Sequence, residues 1–139
     1  MFDIQTQLFD GQDIRFGPID IEKDAEIESK WIHDSVFMRM MEVAPARPMS
    51  AALIKKQYEK LEKQMEEDKN LFYFTIRARA DDHLIGEAAV QWIDWANGNG
   101  FLRVGMGAAQ DRSKGYGTQA LQMLLRFAFA ELNLFRVSA

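Results

Sequence analysis

Arg112-Ser113-Lys114-Gly115-Tyr116-Gly117-Thr118 is the stretch of this sequence whose residue types and spacing could do chemistry. Two glycines one residue apart follow a pair of basic side chains and precede a helical pattern from Gln119 to Leu132. A strand-like segment, Phe101 to Gly107, leads in. Glycine lets the backbone take positive φ and come close to a ligand. A helix start aims free N–H groups, with about half a unit of positive charge, at whatever binds there. Together these features describe an anion-binding turn, and a phosphate group fits it.

Two other phosphate loops do not match. A dinucleotide fingerprint requires G-x-G-x-x-G, but Gly105-x-Gly107 has Gln110 where the third glycine belongs. A P-loop requires Gly-Lys-Ser/Thr, and here Lys114 precedes its glycine. The pattern present is Arg-x-x-Gly-x-Gly at Arg112, Gly115 and Gly117, followed by Phe127-Ala128-Phe129 and Leu132-Asn133-Leu134-Phe135-Arg136-Val137. In these residues the chain resembles the GNAT N-acetyltransferases, and among them those that acetylate ribosomal-protein N-termini and small amines. The resemblance implies a loop whose backbone N–H groups hold the pyrophosphate of acetyl-coenzyme A, mapping onto Arg112, Ser113, Lys114, Gly115, Tyr116, Gly117 and Thr118. It also implies that the preceding strand offers backbone groups to the pantetheine and thioester, at Gly105, Met106 and Gly107.

The elements that must position this turn are readable from hydrophobic period. Residues 1–12 form a loose start, and Ile14 to Ile19 reads as a strand ended by Gly17-Pro18. A helix opens at Asp20 or Glu22 and runs to about His33, with Ala25, Ile27, Trp31 and Ile32 as its apolar positions. Phe37, Met38, Met40, Met41 and Val43 precede Pro45 and Pro48, which predicts an irregular apolar loop over 34–49. Ser50 is placed to cap a helix reaching about Glu67, with Ile54, Tyr58, Leu61 and Met65 inward and Glu59 and Lys63 on a solvated face. The period then becomes two: Phe72, Phe74, Ile76 and Ala78 share one face, Tyr73, Thr75, Arg77 and Arg79 the other. Asp81-Asp82 turns the chain into a long strand from Leu84 to about Trp95, and Asn97-Gly98-Asn99-Gly100 signals a hairpin. The last helix is apolar over most of its surface, with Leu121, Leu124, Leu125, Ala128, Phe129 and Leu132 on one face and Met123, Phe127 and Ala130 broadening it. The expected class is α/β (α+β): one domain over 1–139, with a mixed, mostly antiparallel sheet flanked by helices.

Composition bounds the function. A chain of 139 residues buries about two thirds of its unfolded surface as a single domain. Without cysteine it has no thiol catalysis, disulfides or zinc-thiolate site. No apolar run nears the ~20 residues of a membrane span, and Met1 to Gln5 lacks a signal-peptide pattern, so a cytoplasmic protein without a membrane partner is expected. Net charge is −4, but residues 101–139 hold five basic and two acidic side chains. That patch is small and centred on the glycine turn, which argues for a phosphorylated small cofactor over nucleic acid. His33 and His83 are isolated and have no metal-ligand spacing, so no metal is expected.

Acetyl transfer needs a held thioester, a deprotonated amine acceptor and donors for the oxyanion. The base is the open point. Glu87 shares a strand face with Ala89 and Gln91 and is the candidate, while Asp94 falls on the other face unless a bulge intervenes. Relatives often carry a glutamate at the start of the fourth strand, where this chain has Phe101. Trp92 and Trp95 are read as core residues. The resemblance further implies a fold that continues past Ala139, so the chain reads as an N-acetyltransferase domain truncated at its fifth strand; a non-catalytic module that binds coenzyme A or dimerises is the alternative. Pairing of an open sheet edge near Phe101 to Gly107 or Arg136 to Ala139 predicts a homodimer, supported by apolar surface from Met123, Phe127 and Ala130.

Overall fold

A computed structural model describes residues 8–31, 33–34, 48–107 and 114–139. The elements follow in the expected order: β1 (Ile14–Gly17), α1 (Ile21–Trp31), α2 (Ala51–Glu67), β2 (Phe72–Ala78), β3 (Leu84–Asp94), β4 (Asn99–Met106), α3 (Tyr116–Arg126) with a π-helical extension (Phe127–Glu131), and β5 (Arg136–Ser138). The sheet order is β1-β2-β3-β4-β5. The first four strands pair antiparallel, and β5 joins β4 in parallel. The predicted apolar loop with Phe37, Met38, Met40, Met41 and Val43 lies outside the described residues.

Local signals explain the element ends. Ser50 Oγ accepts the Leu53 N–H at 3.2 Å, which satisfies one of the orphan donors of α2 and starts that helix where its sequence predicts. The β3–β4 hairpin turns through Gly98 at φ 68°. At the far end of α3 the Leu132 N–H reaches back five residues to the Phe127 carbonyl at 3.0 Å. This widened turn closes the helix, and Leu134 then folds back onto the core.

The sheet is buried on both faces, and the two faces differ in chemistry. Toward α3, Ile76 and Ala78 of β2, Ala88 and Val90 of β3, and Leu102 and Met106 of β4 pack with Ala120, Met123, Leu124, Phe127 and Ala128. The Phe127 ring meets Phe72 and Phe74 edge-on, at 5.5 and 5.3 Å between centroids. Toward α1 and α2 the same strands present Tyr73, Thr75, Arg77 and Glu87, and the apolar cluster on that side is small: Ala25, Ile54 and Tyr58.

Two expectations are corrected. Met123 and Phe127 are buried in the chain's own core, so they offer no apolar surface to a second copy; Ala130 is exposed as expected, beside the exposed large side chains Leu121 and Phe129. One face of the helix meets the sheet, and Leu134 of the returning segment joins the same core. Trp92 and Trp95 are exposed at 60% and 48% instead of serving the core. A bulge between Gln91 and Asp94, with Trp92 at φ 52°, turns Trp92 outward and gives its inward place to Ile93. The buried face of α1 carries Asp24 and Glu28 beside the expected Ala25 and Trp31.

Truncation separates the two aromatic side chains of the last helix. Phe127→Ala is expected to lower unfolding free energy by about 3–5 kcal/mol. Phe129→Ala, at an exposed site, should stay within about 0.5 kcal/mol. Urea denaturation of both variants is the check; equal losses would mean that this helix docks on another face.

Candidate active site

The glycine turn is built by two elements that meet. At the start of α3, Gly115 takes the left-handed conformation, φ 80° and ψ 4°, and its carbonyl accepts the first helical bond, from the Gln119 N–H at 3.1 Å. No side chain caps this helix start. Among the described residues, a Cβ at Gly115 would meet nothing within 4 Å, and one at Gly117 would meet only Met106 Cγ, at 3.7 Å. Among the described residues nothing fills the helix entrance where a ligand's oxygens would approach its N–H groups. Lys114 is exposed, with its ammonium 5.9 Å above the Tyr116 ring. Thr118 lies exposed in the same first turn. Arg112 and Ser113 lie outside the described residues.

The β4 side of the turn is set by an unfinished pairing. β5 matches Asn99, Gly100 and Phe101, and among the described residues no strand pairs with the outer edge of β4 from Leu102 to Met106. Gly105 and Met106 are on that edge. Gly107 follows them and is required for a second reason: a Cβ there would fall 2.0 Å from the Trp31 indole. Trp31 closes the last turn of α1, is 6% exposed, and packs over Gly107 and beside Leu84. Gly107 is thus a packing glycine whatever its backbone contributes to a ligand.

Glu87 sits one strand inward from that edge. It pairs across β3–β4 with Gly105, whose lack of a side chain leaves the sheet surface bare between the carboxylate and the open edge. Glu87 is 4% exposed and lines a cavity of about 460 Å³ enclosed by β2, β3, β4, α1 and α2. The other groups at its floor are Glu28 from α1, Tyr58 from α2 and Tyr73 from β2; Gln91, Trp92 and Arg103 stand on the sheet side, Gln64, Asp68 and Asn70 on the other. Arg103 lies across two rings of the wall, with its guanidinium carbon 5.3 Å from the Trp92 centroid and 5.6 Å from that of Phe101.

Hydrogen bonding fixes the floor. Tyr58 Oη donates to the Glu28 carboxylate, and the Tyr73 hydroxyl bonds to Glu87. Burial, then the charge of Glu28, pushes the Tyr58 hydroxyl far above the usual phenol range. Burial, then Glu87, does the same to Tyr73. Both phenols therefore keep their protons at any physiological pH, and both protons are committed to carboxylates. A turn away on α1, Asp24 is fully buried and takes Arg77 of β2 at 2.6 Å. This ties the helix to the sheet beside the cavity.

Sequence reasoning named Glu87 but missed Glu28, Tyr58 and Tyr73 as its neighbours. The available signal was Tyr73 on the polar face of β2, two residues from Thr75, which pairs with Glu87. Asp94, the other carboxylate weighed, accepts the Asn97 N–H and side-chain amide at 3.3 and 2.8 Å and shapes the hairpin turn. His33 is exposed, and His83 pairs with Asp81 at 2.5 Å on the surface. Among the described residues no group of His, Asp and Glu is arranged to hold a metal ion, and no helix is long and apolar enough to cross a membrane.

Comparison with known proteins matches this architecture. A family model described as an acetyltransferase (GNAT) domain covers residues 14–139. Among solved structures, a Vibrio cholerae protein described as a ribosomal-protein-serine acetyltransferase aligns with a TM-score of 0.77 at 19% identity, over 93% of this chain and 70% of its own. A GNAT-family acetyltransferase from Bacillus anthracis aligns at 0.71 and 16% identity, over 93% and 70%. A dodecameric spermidine N-acetyltransferase from Vibrio cholerae aligns at 0.68 and 15%, over 91% and 68%. At these identities the likeness is one of fold. No curated protein sequence matches the chain. The family model runs from the first strand to the last residue, across both the split sheet edge and the glycine turn, and the chain belongs to the GNAT acetyltransferase family.

Proposed function

We propose that this chain is an acetyl-coenzyme A-dependent N-acetyltransferase that acts on a primary amine. The observation that carries the reading is the register of β3 on β4: the buried carboxylate Glu87 is paired with Gly105, on the open edge that leads to the glycine turn. Opposed residues of an antiparallel pair have Cα atoms only about 4.5–5.5 Å apart. A proton acceptor in the cavity and a chain held along β4 are thereby brought within one strand's width.

The residues present suit the coenzyme. The Cβ-free, uncapped start of α3 at Gly115 and Gly117 admits a pyrophosphate to the N–H groups of Gly115, Tyr116, Gly117 and Thr118. Lys114, Arg112 and Ser113 are the charged and polar groups assigned to the same anion. The backbone of Gly105, Met106 and Gly107, along the edge of β4 that no strand pairs among the described residues, takes the pantetheine as an added strand would be taken. The bound coenzyme supplies an acetyl group activated as a thioester. The acceptor amine enters the cavity, and Glu87 accepts the proton that its nitrogen must lose to attack. Tyr73 holds that carboxylate in place through its hydroxyl.

Two variants test the two halves. Gly117→Val places a branched side chain at the helix entrance, where the fold itself has room. It is expected to weaken acetyl-coenzyme A binding by more than about tenfold, or 1.4 kcal/mol, in titration calorimetry. The melting temperature should hold. Glu87→Gln should leave coenzyme affinity in place and lower kcat by about 10²–10⁴ in a thiol-release assay. Undiminished coenzyme binding in the first variant would remove the loop assignment, and undiminished turnover in the second would remove the base.

A further inference from the structure

Hydrogen bonds from the segment before β1 aim the entrance of α3. This step rests on the reading of that entrance as the coenzyme's pyrophosphate site. α3 meets the sheet through Ala120, Met123 and Leu124, and the attraction between apolar surfaces has no direction of its own. A hydrogen bond, which weakens steeply as it bends, fixes rotation and height more sharply. Gln119 supplies that contact. Its Oε1 accepts the Asp13 N–H at 3.1 Å, and its Nε2 donates to Asp13 Oδ2 at 2.7 Å. The Gln119 N–H also closes on the Gly115 carbonyl, at 3.1 Å. The residue held by Asp13 therefore completes the turn that carries Tyr116, Gly117 and Thr118.

Asp13 is itself fastened to the sheet. Its carbonyl accepts the Arg79 N–H at 3.0 Å, just past β2, and Arg79 Nη1 donates to the Gly11 carbonyl at 2.9 Å. The Gly11 N–H donates to the Ile14 carbonyl at 2.7 Å, at the start of β1. One turn further along α3, Gly11 lies against Met123, where a Cβ would fall 2.8 Å from Sδ. The segment from Gly11 to Asp13 thus touches two successive turns of α3 on one side, and β1 with the end of β2 on the other. A carboxylate near a helix entrance works against an anion bound there. A contribution of Asp13 through its charge would therefore have the opposite sign to a contribution through position.

We propose that Asp13 is a positioning residue of the coenzyme site, which holds the N–H groups at the start of α3 in place through Gln119. Asp13→Ala removes the acceptor, whereas Asp13→Asn keeps an oxygen for Gln119 Nε2 and loses the charge. Calorimetry with coenzyme A is expected to find Asp13→Ala weaker by about three- to tenfold. Asp13→Asn should bind at wild-type affinity or tighter. Gln119→Ala should lose as much as Asp13→Ala, and the two together no more than either alone. In amide NMR spectra of the ligand-free chain, the Gly115 and Gly117 signals should move in Asp13→Ala and hold in Asp13→Asn. Wild-type affinity in Asp13→Ala, or glycine signals that stay in place, would overturn the assignment. So would an Asp13→Asn variant that binds as weakly as Asp13→Ala. Coenzyme A that fails to bind the wild-type chain, with the glycine signals moving as expected, would count against the pyrophosphate reading alone and uphold the positioning by Asp13.

Discussion

One face of one helix holds this molecule together around its cavity. Along α1, Asp24, Glu28 and Trp31 lie on successive turns, and each grips a different element: Arg77 on β2, Tyr58 on α2, and the glycine at the end of β4. Buried carboxylates are costly unless paired, and removing one partner of such a pair typically costs about 3–5 kcal/mol. The arrangement is therefore sensitive to position. A shift of α1 by one residue would strand two charges and drive an indole into backbone. Specificity of docking follows more securely from this than net stability does, since apolar residues of similar volume often replace buried ion pairs without loss.

The same constraint gives the sheet its two characters. On the α3 side, conventional apolar packing buries Ile76, Val90, Leu102, Leu124 and Phe127. On the α1 side, polar groups occupy the strand positions in between, because a helix that docks by charge leaves room for them. β3 is buried along both faces from Leu84 to Val90, and Glu87 is the one charged side chain in that run. Glu87 is thus held in a buried, structured setting without interrupting the core behind it. A proton acceptor needs that rigidity to stand close to its partner atom.

The parting of β5 from β4 supplies the other half of the site. Three residue pairs join the strands, and beyond them no strand among the described residues pairs with the outer edge of β4 on the way to the helix entrance at Gly115. Backbone donors and acceptors left open at a sheet edge are a template for an extended ligand. Here that edge begins opposite Glu87's own strand and ends at the glycine turn.

Much of this was legible without coordinates because it is local. The cap at Ser50, the hairpin at Gly98, the period of two along Phe72 to Ala78 and the glycine pair before a helix all act within a few residues of chain. Their physics is already complete in the sequence. Glu87 was found the same way, as a carboxylate on a strand face. Tertiary structure alone decided what surrounds it. Glu28 and Asp24 read as ordinary charges on a surface helix, and they become buried because Tyr58 and Arg77, 30 and 53 residues further along, arrive beside them. The identity of Gly107 was visible, but its steric cause, Trp31, was not. Trp92 and Phe127 exchanged their expected places because a one-residue bulge turns the first outward and packing on Phe72 and Phe74 takes the second into the core. Period and propensity propagate along the chain; which partner a buried charge or ring will meet is settled only when distant segments pack.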